Sequence, residues 1–376
     1  MLTEETRRRD FPSLDGRAYL NTAAEGIPPR QVADALARYA QDKLLGMDGR
    51  PRHEAQWHEL RRLAGEAFGL TADEIGVCSC SSEAFNLAAM ALRLGEGDEV
   101  VINDLDFPAG ATPWLQPDCP ATAKLWRARD GALRCEDLRP LLGPRTRLVS
   151  TSLVSFYNGF RLPLAEVIAT VRRGSAALIA LDVTQALGRI PLELDGIDLV
   201  VSSTYKWMLG SHGGCLVGVP SRRAGQWTVS AGGWFNLENP FDADRFERAR
   251  PKAGAAGFSV GMPNYPAVYA NRAGLAYVLG VSVEAIDRHA APLVRACLDG
   301  LRRMPVELLT PSADESLAGI IAFRHPRAAA LWQRLHADGV DIMHHAGRLR
   351  ASLHGYNMAA DVDRFLASLD EALRHE

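Results

Sequence analysis

The stretch Leu199-Val200-Val201-Ser202-Ser203-Thr204-Tyr205-Lys206-Trp207 decides how this chain is read. Its three leading apolar residues predict a buried strand. Hydroxyl residues then end the strand, and a lysine follows at once. In open α/β sheets, ligands bind outside the carboxyl ends of the strands. A lysine there can form an imine with an aldehyde group, and a partly desolvated site lowers its basicity. Taken alone, the stretch is also what a surface lysine beside a chance tryptophan looks like. Its neighbours have to decide.

Upstream, the apolar run Ala177-Leu178-Ile179-Ala180-Leu181 ends on Asp182. A carboxylate that closes such a strand either caps a following helix or faces a charge. Set against a pyridine nitrogen, it keeps that nitrogen protonated and makes the ring an electron sink. Gln185, three residues on, is placed to hydrogen-bond a ring oxygen. Further upstream, Ser81-Ser82-Glu83 follows the predicted strand Ile75-Gly76-Val77-Cys78 and opens a helix. Backbone N–H groups at a helix start bind phosphate, and small hydroxyl residues let it approach. A simple capping role is compatible with this. Ser203 and Tyr205 add two more hydroxyls.

Around these points, short apolar runs alternate with helical periodicity. Strands are expected near 75–78, 100–102, 148–154, 177–181, 199–201 and 215–219, with helices at 28–45, 54–68, 83–94 and 164–172. That alternation implies a mostly parallel sheet with both faces covered. Beyond Gly261-Met262-Pro263 the pattern changes to a long helical region from Ala267, a strand at 318–323, and helices at 328–336 and 360–374. This is a smaller α+β unit. The expected division is a large domain over 18–265 and a small one from 1–17 and 266–376. Residues 221–258 are rich in Gly, Phe, Asn and Arg and read as a long irregular segment of the kind that often carries function.

The chain has 376 residues, 47% hydrophobic, with a net charge of −3. The charge gives no basis for nucleic-acid or anionic-membrane partners. No apolar run approaches the roughly 20 residues that cross a bilayer. The charged N-terminus lacks an apolar leader, so a cytoplasmic location is expected. The six cysteines, Cys78, Cys80, Cys119, Cys135, Cys215 and Cys297, lack C-x-x-C spacing, and no metal site is expected.

Together, the Ser202–Lys206 run, Asp182-Val183-Thr184-Gln185 and Ser81-Ser82-Glu83 resemble the aminotransferase class V family. That family includes cysteine desulfurases and C–S lyases of the aspartate-aminotransferase-like fold (fold type I). The resemblance spans nearly the whole chain, from Tyr19-Leu20-Asn21-Thr22-Ala23-Ala24 to the last helix. It implies a large domain with a mostly parallel, seven-stranded type of sheet. It also implies pyridoxal 5'-phosphate (PLP) bound to Lys206, with Asp182 at the ring nitrogen, and a homodimer. In Asp106-Phe107-Pro108-Ala109, Phe107 falls where the family stacks a ring on the cofactor. The run Arg348-Leu349-Arg350-Ala351-Ser352-Leu353-His354-Gly355-Tyr356-Asn357 resembles the family's substrate-carboxylate motif. Arg350 aligns with its arginine, whose guanidinium holds a carboxylate by paired hydrogen bonds. Asn21 and Asn158 are the other expected substrate contacts.

Three positions depart from the family. Cysteine desulfurases carry a nucleophilic cysteine shortly before the arginine motif, but Gly339 to Gly347 is short and contains none. Phe156 stands where an asparagine is usual, which is why Asn158 is considered. Gly261-Met262-Pro263 lacks the threonine that reaches a neighbouring subunit's phosphate. The expected function is therefore a PLP enzyme on an α-amino acid, with Lys206 as base at Cα: an aminotransferase or β-eliminating C–S lyase. The alternatives are an epimerase, a decarboxylating enzyme or a non-catalytic binding protein. A nicotinamide enzyme would need a G-x-G-x-x-G turn, and Cys78-Ser79-Cys80-Ser81-Ser82 has no glycine.

Overall fold

The computed structural model describes residues 1–374. Helices α1 (Arg30–Lys43) and α2 (Arg50–Phe68) precede the large sheet. Its strands are β1 (Ile75–Cys78), β2 (Glu99–Asn103), β3 (Thr122–Trp126), β4 (Thr146–Ser152), β5 (Leu178–Asp182), β6 (Leu199–Ser203) and β7 (Cys215–Gly218). Among the described residues this sheet is seven-stranded, in the order β1-β7-β6-β5-β4-β2-β3. Only β7 runs antiparallel to its neighbours; the other pairs are parallel. The carboxyl ends of the six remaining strands therefore share one edge, and the expected site residues lie along it.

The apolar runs exist because the sheet is covered on both sides. Strands β2, β5 and β6 are buried along their whole length. Successive side chains alternate between faces. Val149, Ile179, Leu181 and Val200 enter one core layer, and Leu148, Leu178, Ala180, Leu199 and Val201 enter the other. Helix α3 (Ser81–Leu92) packs in the second layer through Ala84, Phe85, Leu87 and Ala88, and α4 (Leu164–Gly174) in the first through Val167 and Val171.

Strand β3 has no counterpart among the expected elements. It is an edge strand, largely open to solvent, so its residues carry no apolar run.

The long helical region is two helices, α5 (Tyr265–Val281) and α6 (Val283–Leu301), separated by Ser282 at φ +76°. Helix α5 stays with the large domain: its Tyr269 hydroxyl bridges Asp42 at 3.0 Å and His53 at 2.9 Å. Helix α6 sends Val294, Cys297 and Leu298 into the small-domain core with Phe323 and Phe365. The seam between the two cores lies near Ser282, with Val268 and Leu275 in one and Val294 and Leu298 in the other. With one residue between two apolar helices, composition offers no sign of it. Ala18 and Leu20 also belong to the small-domain core, and Ala18–Tyr19 pairs with Val340–Asp341.

The small-domain sheet comprises β8 (Glu307–Leu308), β9 (Ile320–Arg324), β10 (Met343–His345) and β11 (Arg348–Ser352). Its order is β10-β11-β9-β8, antiparallel throughout. Helices α7 (Ala328–Ala337) and α8 (Ala359–Arg374) cover it. The 221–258 segment contains only short 3-10 turns. No described helix is long and apolar enough to cross a membrane.

Candidate active site

Lys206 leaves the end of β6 and is only 8% exposed. Its Nζ lies 5.4 Å from the ring centroid of Phe107 and 5.4 Å from that of Tyr205. Burial pushes the amine down to about 8; Asp182 and Glu25 oppose the shift, while Arg350 adds to it. The turn holding it is tied on both sides. Gly26 donates its N–H to the Tyr205 carbonyl at 2.9 Å, and Gly210 to that of Thr204 at 3.0 Å. A Cβ on Gly26 would stand 1.9 Å from the Lys206 carbonyl oxygen, so only glycine fits there.

Asp182 ends β5, in register with Ser152 on one side and Val201 on the other. Its carboxylate accepts the Thr184 N–H at 2.7 Å. Burial raises its pKa, against the hydrogen bonds from Thr184 and the charge of Lys206. Turns, not an α-helix, follow it, which removes the helix-cap alternative. Gln185 donates to the Ala23 carbonyl at 3.1 Å and accepts the indole N–H of Trp207 at 2.6 Å. One N–H of its amide remains free, since a primary amide has two.

At the start of α3 the cap is Cys80, whose Sγ accepts the Glu83 N–H at 3.5 Å. The hydroxyls of Ser81 and Ser82 are therefore not spent on capping. Neither these nor the hydroxyl of Tyr205 has a hydrogen-bond partner among the described residues, while Ser203 uses its backbone N–H on Thr184. Phe107 is 42% exposed, not a core residue. It meets Phe156 edge-on at 5.1 Å.

Arg350 is 4% exposed and donates from Nη1 to the Phe156 carbonyl at 2.6 Å. Its Nε is buried without a partner, and no carboxylate pairs with it among the described residues. Burial pushes the guanidinium down to about 9, and Arg348 acts in the same direction. A buried cation without a counter-ion is costly. The side-chain Oδ1 of Asn21 is a second buried orphan, and Asn21 bridges to Ser352 through its main chain.

Asn158 does not join this group. Its amide donates to the carbonyls of Gly131 at 2.7 Å and Leu309 at 3.2 Å and accepts the Phe160 N–H at 3.1 Å. With both N–H groups spent, the expected substrate contact gives way to a loop tie.

Three residues escaped the sequence reading. Asp106 accepts from the Ser152 N–H and the Asn103 amide, each at 2.8 Å. Burial pushes its pKa up to about 7, with Asp182 adding to the rise and the hydrogen bonds from Ser152 and Asn103 opposing it. It directly precedes Phe107 in the turn that follows β2, outside the apolar run, so the signal that singled out Asp182 is missing. Glu25 pairs with His212 at 3.2 Å, and His212 stacks on Tyr205 with centroids 4.3 Å apart.

The tail of the arginine motif acts as fastening. His354 donates from Nε2 to the Trp207 carbonyl and accepts the Gly355 N–H at Nδ1, each at 2.8 Å. The hydroxyls of Thr22 and Tyr356 are 2.5 Å apart, and Asn357 donates to the Tyr19 carbonyl at 2.9 Å. Arg189 donates to the Leu353 carbonyl at 2.9 Å and pairs with Asp287 at 2.7 Å.

A two-domain α/β fold with a buried lysine and carboxylate at the strand ends defines the class. The family model described as aminotransferase class-V matches residues 18–365, and the chain belongs to that family. An uncharacterized aminotransferase of Bacillus subtilis is 25% identical over 358 residues, covering 94% of each chain. Among solved structures, the cysteine desulfurase of Thermococcus onnurineus superposes with a TM-score of 0.89 at 20% identity, over 100% of this chain and 99% of that one. A variant of C-DES with glycine covalently linked to its PLP cofactor gives a TM-score of 0.85 at 22% identity, over 96% and 98%. These likenesses establish the fold as the one expected.

Proposed function

We propose that the protein is a PLP-dependent enzyme that removes the α-proton of an amino acid and carries it to transamination or β-elimination. The carrying observation is the triangle of Lys206, Asp182 and the unpaired Arg350. Its residues fit the cofactor. Lys206 offers a buried amine of lowered basicity for an aldehyde, and Asp182 offers a buried carboxylate for a ring nitrogen. The exposed Phe107 ring suits stacking. The α3 N–H groups and the hydroxyls of Ser81, Ser82, Ser203 and Tyr205 suit a phosphate. When bound, the cofactor supplies an electron sink for the charge left at Cα.

Within that frame each residue has a task. Lys206, released by the incoming amino group, holds and returns the Cα proton; an amine titrating near 8 does both at neutral pH. Arg350 and the Nδ2–H groups of Asn21 donate to the substrate carboxylate, which supplies the missing counter-ion and fixes Cα before the base. Asp182 keeps the ring nitrogen protonated. A persulfide route is disfavoured: residues 339–347 contain no cysteine, and Met343–His345 turns straight back onto Arg348–Ser352. A homodimer and a small amino-acid substrate belong to the same proposal.

The test is the absorbance of the purified protein, then addition of amino acids with and without pyruvate. Loss of the visible band, restored by keto acid, means transamination. A retained band with release of pyruvate, ammonia or sulfide means elimination. No visible band after PLP is added, or an unchanged band in Lys206→Ala, refutes the proposal.

A further inference from the structure

The face of β11 that presents Arg350 carries a second arginine one pleat away. Leu349, between them, turns into the small-domain core. Arg348 is 5% exposed. Its hydrogen bonds run from Nη1 to the carbonyls of Phe156 and Tyr157, and its guanidinium carbon stands 4.4 Å from the Tyr157 ring centroid. Its Nε and Nη2 have no protein partner among the described residues, and no carboxylate pairs with it. Across the ladder, Arg348 is in register with Arg324, which donates to the Tyr157 hydroxyl at 2.5 Å. The acid close to this group is Glu307, 3.6 Å from Arg324 and itself exposed.

Two buried guanidiniums on one face, with a third at the rim and one exposed carboxylate, leave uncompensated positive charge. Proteins seldom bury like charges without a counter-ion. One anion, at Arg350, leaves Arg348 still unpaired. Residues two apart on a strand have Cα atoms roughly 7 Å apart, a span that a short dicarboxylate bridges once each end accepts hydrogen bonds. The route to the reacting lysine is continuous: Arg348 lies 5.6 Å from the Phe156 ring, Phe156 meets Phe107, and Phe107 lies beside Lys206.

We propose that Arg348 is a second anion-binding residue, and that the substrate is an amino acid with an acidic side chain. Arg350 holds the α-carboxylate, and Arg348 holds the distal carboxylate. The inference rests on the role given to Arg350 above and adds the substrate class.

The test is calorimetric binding of succinate and of butyrate, its monocarboxylate counterpart of equal length, to the PLP-loaded full chain. Succinate is expected to bind roughly ten- to a hundredfold more tightly, the value of one added charged hydrogen-bonding contact. Arg348→Gln should abolish that preference and leave butyrate unchanged. Arg348→Lys should retain part of it, which a purely structural clamp on the 156–157 turn would not predict. Arg350→Gln should weaken both ligands. Succinate bound no better than butyrate, no binding included, overturns the proposal, as does an Arg348→Gln variant that weakens both alike. If Arg350→Gln spares both ligands, the parent assignment of Arg350 has failed and this one falls with it.

Discussion

Lys206 should react with aldehydes at a pH where an ordinary lysine is inert, and its neighbours should shift that pH in opposite directions. Its amine titrates near 8, against 10.5 for a free lysine, chiefly because burial disfavours the charged form. At pH 8 about half of it is neutral, against about one in three hundred for an unperturbed amine. The reactive fraction is thus raised roughly 150-fold at equal intrinsic reactivity. Arg350 contributes to the lowering and Asp182 opposes it. Arg350→Met should therefore move the midpoint up, and Asp182→Asn should move it down. The assay is reductive alkylation of cofactor-free protein with a small aldehyde across a pH series, followed by peptide mass spectrometry. The exposed Lys43 serves as the internal reference. A Lys206 profile that coincides with that of Lys43 refutes the reasoning. So does a midpoint that falls in Arg350→Met.

Asp106 should make the cofactor-free protein less stable as pH rises. Its folded pKa of about 7 lies above the ordinary 3.8, so its stabilising effect is complete below about 3.8 and is lost as pH rises through 7. Thermal midpoints of Asp106→Asn should fall less over that window than those of the parent; parallel profiles would sink the idea. His354 is neutral, buried and held between Trp207 and Gly355. His354→Ala should cost roughly 2–4 kcal/mol in urea unfolding, and a change within error would mean that the fastening is unimportant. Cys80 caps the helix assigned to the phosphate and is exposed. Maleimide should label it more slowly in PLP-loaded protein than in cofactor-free protein; equal rates would move the phosphate elsewhere.

The central sheet was legible because a strand covered on both faces must be apolar throughout, as 178–181 and 199–201 are. The edge strand 122–126 was not, because its side chains face solvent and carry no such constraint. Lys206 and Asp182 stood out as charged residues ending apolar runs. Asp106 lies beyond the end of β2, in the turn after the apolar run, and was overshadowed by Phe107 beside it. Asn158 was misjudged for a different reason: whether an amide is free depends on Gly131, Leu309 and Phe160, which only the folded chain brings to it. Arg348 and Arg350 differ in sequence by their place in a motif. Their shared lack of an acidic partner is a property of the assembled sheet.

The ties that run from His354, Arg189, Tyr356 and Asn357 to the lysine turn, the 318–353 segment and the N-terminal strand have a consequence for how the chain melts. They cross the seam at Ser282 from both sides. Cutting the chain there would not release two autonomous folding units, because each half would expose backbone groups whose partners reside in the other. Hydrogen exchange should accordingly show the strands bearing Lys206 and Arg350 opening together, in one cooperative event. Arg350 and Lys206, the proposed substrate anchor and the proposed base, would then be lost or kept as a pair.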